Sequence, residues 1–182
     1  IATIFRDGNV IIGNGEIIEK GAVAINGNMI IFVEEKKKIR PSKKDAIFDI
    51  SGKTILPGLI DAHVHLCIDG SPDPMTSLLK DSTPQLTLKA ASHARQTLDA
   101  GVTTVRDMGG RDYVDLAIRD GIESGLLQGP RMICSGRVVC MTGGHGWQFG
   151  READGTDEVR EAVREQLKAG ATVEQATAAY AV

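Results

Sequence analysis

His63 and His65 stand two apart at the end of the run Ile55-Leu56-Pro57-Gly58-Leu59-Ile60-Asp61-Ala62-His63-Val64-His65-Leu66. The run is largely apolar and reads as a buried strand. Side chains on a strand alternate faces, so Asp61, His63 and His65 share one face and Ile60, Ala62 and Val64 the other. Neutral imidazole nitrogens are common donors to zinc and similar ions, and a catalytic ion takes three or four protein ligands with a position left for water. Two histidines supply half of that set. Asp61, one pleat earlier, is placed to accept the free N–H of a ligating imidazole or to sit beneath the metal. Cys67 continues the two-residue spacing, but Asp69-Gly70-Ser71-Pro72 already signals a loop. A histidine pair of this spacing also fits a hydrogen-bonded structural pair, and the residues alone leave both readings open.

A second candidate is His145, set among glycines in Thr142-Gly143-Gly144-His145-Gly146. Glycines let backbone N–H groups approach a substrate carboxylate or oxyanion while the imidazole donates a further hydrogen bond. The alternative is a glycine-rich turn that happens to carry a histidine. Trp147 and Phe149 follow, either as walls of an apolar pocket or as simple packing. Arg106 and Asp107 close a β-branched run and are expected to pair as ions, with a substrate contact as the alternative. His93 falls off the apolar stripe of its helix and is expected in solvent.

The elements that must position these residues change character along the chain. Up to about Ile50 come short β-type runs broken by turn signals, with Asn26-Gly27 between two of them as a hairpin signal. This predicts a small antiparallel sheet, part of a sandwich. After Pro57-Gly58 strands alternate with helices: a helix over Leu86 to Ala100 with Leu86, Ala90, Ala94 and Leu98 on one stripe, a strand at Val102 to Val105, a helix over Val114 to Ser124, a strand over Arg131 to Cys140 and a helix over Thr156 to Ala169. Alternation of this kind predicts a parallel sheet with helical crossovers, and α/β enzymes keep their sites at the strand C-terminal ends. The long loops Cys67 to Gln85 and Met141 to Gly155 lie there.

Composition excludes several classes. The 182 residues are 42% hydrophobic and 25% charged with a net charge of -3, the balance of an ordinary globular chain. The densest basic run, Lys36-Lys37-Lys38 with Arg40, Lys43 and Lys44, is flanked by Glu34, Glu35 and Asp45 and carries no aromatic residue, so no nucleic-acid partner is expected. No window reaches the roughly 18 apolar residues of a membrane span and the first residues lack a signal-peptide pattern, which predicts a cytoplasmic protein without a membrane partner. Cys67, Cys134 and Cys140 are an odd count without CxxC spacing and are expected as free thiols.

Pro57 to His65, following a β-rich segment, resembles the first barrel strand of the metal-dependent amidohydrolase superfamily. Ala100-Gly101-Val102-Thr103-Thr104-Val105-Arg106-Asp107-Met108-Gly109-Gly110 is similar to its second strand, and Thr142 to Gly146 to the loop after its third. The combination resembles the branch of Xaa-Pro dipeptidases, arginine carboxypeptidases and imidazolonepropionase. The resemblance implies an α/β fold, the N-terminal portion of a (β/α)8 TIM barrel with a small β-sandwich subdomain: residues 1–54 sandwich-like, 55–171 a partial barrel of about three βα units, and 172–182 a helical tail. It implies a divalent metal, zinc by preference, held by His63 and His65 with Asp61 behind them, and His145 on the substrate. The implied reaction is hydrolysis of a C–N bond in a small peptide or cyclic amide by metal-activated water.

The same resemblance calls for a carboxylatable lysine on a fourth strand, histidines on the fifth and sixth and an aspartate on the eighth, and these have no counterpart positions. Lys168 sits on a helix before its Gly170 stop, and Thr172-Val173-Glu174-Gln175 begins as a helix-capping box where a strand would belong. The expectation is a truncated form without full activity, assembled as a homo-oligomer that covers its open sheet edges. The rivals are a non-catalytic homologue serving as an assembly or binding module, and a small complete enzyme that borrows a ligand from a second subunit.

Overall fold

Asn26-Gly27 does close a hairpin: strands β2 (Ile17–Asn26) and β3 (Met29–Glu35) pair antiparallel with Asn26 opposite Met29, and Gly27 takes a φ of 58°, which glycine adopts without a Cβ clash. The computed structural model describes residues 1–171, in two units that divide after Pro57.

In the first unit β1 (Thr3–Ile11) pairs antiparallel with β2. Strands β4 (Ala46–Asp49) and β5 (Thr54–Ile55) then lie along the other side of β1, both parallel to it. The five-stranded sheet, in order β3-β2-β1-β4 with β5 also on β1, is therefore mixed where the turn signals predicted an antiparallel one. The segment through the turn at Lys36–Lys38 carries the chain from one sheet edge to the other, so pairing resumes in the direction of β1. Ile4, Val10, Ala22, Val23 and Ala24 are buried in this sheet. It is one layer; the second layer of a sandwich is not among the described residues.

The second unit runs β6 (Leu59–Val64), α1 (Pro74–Lys80), α2 (Thr83–Asp99), β7 (Val102–Asp107), α3 (Val114–Glu123), β8 (Arg131–Cys134), β9 (Val139–Cys140), β10 (Arg151–Glu152) and α4 (Gly155–Ala169). Strands β6, β7 and β8 form a parallel sheet in that order, and β9 and β10 a separate parallel pair. Of the predicted stripe, Leu86, Ala90 and Ala94 are buried, and they share a core with Val105, Val114, Ile118 and Met132. No helix among the described residues is long and apolar enough to cross a membrane.

Four local expectations change. The loop after Cys67 contains α1, started by Asp73, whose carboxylate accepts the Thr76 N–H at 3.2 Å, and by Pro74 in the first turn. Helix α2 begins earlier, at Thr83, because Gln85 Oε1 accepts the Ser82 N–H at 2.9 Å and the Ser82 hydroxyl at 2.8 Å. The strand expected over Arg131 to Cys140 breaks after Cys134, where Gly136 turns to a φ of 79°, and resumes as β9 with β10 as its new neighbour. Strand β6, read as buried, is exposed over Leu59 to His63, because it is the edge of an open three-stranded sheet. The capping box at Thr172 to Gln175 lies outside the described residues. Gln85→Ala is expected to lower stability by about 1 kcal/mol, read as a smaller urea midpoint at unchanged slope, because two donors at the start of α2 lose their acceptor.

Candidate metal and substrate site

The register of the parallel sheet sets Val64 of β6 beside Asp107 of β7, and the Met108 N–H extends the ladder to the Val64 carbonyl at 2.9 Å. His65 thus sits one residue past the last strand position, at the C-terminal edge of the sheet. Its Nδ1 lies 2.8 Å from the Gly109 carbonyl oxygen. A carbonyl only accepts, so Nδ1 carries the proton and the neutral ring keeps its lone pair on Nε2. Burial, partly opposed by the Gly109 hydrogen bond, lowers the His65 pKa and favours this neutral form. The His63 ring packs edge-on to His65 with centroids 5.4 Å apart. The strand therefore brings its two imidazoles together, as the alternation predicted.

Asp61 is less involved than expected. Its Oδ1 accepts the backbone N–H of His63 at 3.1 Å, while the N–H of the His65 ring is taken by Gly109. Cys67 is a core residue, 5% exposed, with a thiol pKa pushed up to about 12 by burial and by Asp107. His93, expected in solvent, is half-buried and its Nδ1–H donates to the Leu66 carbonyl at 2.8 Å.

Arg106 and Asp107 do not pair. Adjacent strand residues point to opposite faces. Arg106 Nε donates to the Ala62 carbonyl at 2.7 Å, whereas Asp107 turns inward and is 1% exposed. Its Oδ2 accepts the Leu66 N–H and its Oδ1 the Gly109 N–H, both at 3.0 Å. Burial raises its pKa to about 7 against the pull of these two N–H groups. Asp115, at the start of α3, is equally buried; its Oδ2 accepts the Gly136 N–H at 2.9 Å and its Oδ1 has no partner among the described residues. Burial, reinforced by Asp107, raises its pKa to about 7 as well. Neither acid was expected inside. For Asp107 a signal existed, since it shares a strand face with the apolar Val105.

The glycine loop supplies the other side of the site. His65 and His145 line one cavity of about 520 Å³ with Ile68, Met75, Trp147 and Phe149. Phe149 is buried and packs edge-on to His65 at 5.2 Å, while His145 and Trp147 remain exposed at the rim. Two of the loop's backbone donors are already used: the Gly143 N–H goes to Glu152 Oε1 at 2.6 Å and the Gly144 N–H to the Met141 carbonyl at 2.8 Å. Those amides are therefore spent within the chain, while the His145 side chain lines the cavity.

Two imidazole donors, one with a fixed free nitrogen, fit a divalent ion of the kind zinc sites hold, but only as part of its ligand set. Among the described residues no three His, Cys, Asp or Glu side chains converge on one point.

Over 202 aligned residues the chain is 28% identical to ochratoxinase of Aspergillus niger, covering 94% of this chain and 41% of that protein. It is 31% identical over 118 residues to imidazolonepropionase of Bacillus cytotoxicus, covering 52% of this chain and 28% of that enzyme. The structure of a Xaa-Pro dipeptidase with methionine in its active site superposes with a TM-score of 0.80 at 29% identity, covering 94% of this chain and 45% of that one. The chain thus spans less than half the length of these relatives. The sequence profile of the amidohydrolase family matches residues 54–182, the whole second unit with both histidines and the glycine loop, and the chain belongs to that family.

Proposed function

We propose that this chain contributes the first two metal ligands and one wall of the substrate pocket to a metal-dependent hydrolase that cleaves a C–N bond in a small peptide or cyclic amide. The reading is carried by the His65 ring, which lines the cavity and whose Nδ1–H is spent on Gly109, so that Nε2 is left as the lone-pair nitrogen. His63 and His65 would hold a divalent ion, zinc by preference, which supplies, when bound, a water acidic enough to attack a carbonyl. Met75, Trp147 and Phe149 accept an apolar part of the substrate, and His145 donates a hydrogen bond to its polar end. The remaining metal ligands come from outside the described residues.

A non-catalytic assembly role draws support from β6, whose Leu59 and Ile60 are 50% and 72% exposed on an open sheet edge. Metal content separates the two readings. The protein is expected to retain zinc after gel filtration, and His63→Ala and His65→Ala to lose it. Zinc uptake equal in wild type and variants would overturn the metal assignment.

A further inference from the structure

The hydrogen bonds around His65 close into a ring. The imidazole Nδ1–H donates to the Gly109 carbonyl, the Gly109 N–H donates to Asp107 Oδ1, Asp107 Oδ2 accepts the Leu66 N–H, and Leu66 is covalently the next residue after His65. We propose that Asp107 is a positioning residue: its buried carboxylate ties the end of β6 to the turn after β7 and so sets the Gly109 carbonyl where it selects the ligating tautomer of His65.

Three features support this assignment. Both strands end at this point, so the Leu66 and Gly109 N–H groups have left the sheet ladder, and the carboxylate is their acceptor. Gly109 holds a φ of 130°, and an added Cβ would stand 2.8 Å from Val138 Cγ2, so the turn is confined from outside as well as tied from within. The Leu66 carbonyl is anchored in turn by His93 at 2.8 Å, which leaves both polar backbone groups beside His65 fixed by side chains. Asp107 does not line the cavity. It acts through Gly109 and Leu66.

The consequence for metal affinity rests on the proposed function, whereas the tautomer does not, and the test reads them separately. In metal-free protein, nitrogen NMR of the imidazoles is expected to show His65 with its proton on Nδ1. Asp107→Asn keeps the shape, removes a buried charge and retains one acceptor; it is expected to move a substantial fraction of His65 to the Nε2–H form and to weaken zinc binding about tenfold, the effect typical of losing a partner behind a metal ligand. Asp107→Ala is expected to do more. Asp115→Asn, in the same buried acid pair but bonded to Gly136, should leave the His65 tautomer unchanged. In wild type, titrating the Asp107 carboxyl should shift the amide resonances of Leu66 and Gly109 together, a measurement that does not depend on any variant folding. A folded Asp107→Asn protein with His65 wholly in the Nδ1–H form, or Leu66 and Gly109 amides indifferent to the Asp107 titration, would overturn the proposal. A coupled tautomer in a protein that takes up no zinc would uphold the positioning role and remove the metal assignment instead.

Discussion

Gly58→Ala is expected to destabilise the second unit by about 3 kcal/mol, the cost of forcing atoms into a packed site. A Cβ on residue 58 would stand 2.0 Å from Thr103 Oγ1, 2.3 Å from its Cγ2 and 2.7 Å from its Cβ. Rotating Thr103 clears the first two atoms but not the third. Strand β6 must therefore move away from β7 at the point where the Leu59 N–H donates to the Gly101 carbonyl at 3.0 Å. His63 and His65 lie further along the same strand, so zinc retention should fall with stability. Thr103→Gly in the same chain removes all three contacts and is expected to restore most of the loss, less about 1 kcal/mol for a glycine within a strand. Urea midpoints of the two single variants and the double variant decide the matter. A Gly58→Ala protein within about 0.5 kcal/mol of wild type would show that the strands part freely here.

The second large effect concerns the buried acids. Asp107 and Asp115 have folded-state pKa values raised to about 7 from an ordinary 3.8. Between those values the folded protein binds protons that the unfolded chain has released, so stability falls as pH rises through the window and levels off above it. A rise of that size in one group corresponds to about 4 kcal/mol at most, and the two acids repel each other, so they lose their protons as a coupled pair. Asp115→Asn removes one charge, keeps an acceptor for the Gly136 N–H and replaces an oxygen that has no partner among the described residues. The variant is expected to match wild type near pH 4 and to exceed it in stability at pH 8, with a shallower decline between. Chemical denaturation at these two pH values is the check. Equal slopes for wild type and variant would show that burial does not raise the Asp115 pKa.

Much of the candidate site's geometry was legible along the chain because its signals are local. The spacing of His63 and His65 depends only on strand alternation, and the two rings do lie side by side. The glycines around His145 mark a loop, and the loop does reach His65 across one cavity. The stripe of Leu86, Ala90 and Ala94 depends only on helical repeat, and all three are buried. The readings that changed were of another kind. Arg106 and Asp107, of opposite charge and adjacent, invited an ion pair that strand geometry forbids. The Arg131 to Cys140 run looked continuous because a reversal at Gly136 leaves little trace in hydropathy. Strand β6 looked buried because its side chains are apolar on paper, whereas exposure depends on which strands lie beside it.

The sequence by itself determined the histidine pair and the alternation of strands with helices, which follow from residue type and short-range periodicity, while the family entered through the resemblance of its motifs. Only the tertiary structure decided that Asp107 points inward and closes a ring with Leu66, Gly109 and His65, and that Asp115 joins it in the core. It also decided which nitrogen of His65 carries the proton. Those contacts join residues some forty positions apart in the chain, and the partner of a buried carboxylate or an imidazole N–H is set by which backbone groups the fold leaves without a ladder neighbour, a property that exists only once the strands have ended side by side.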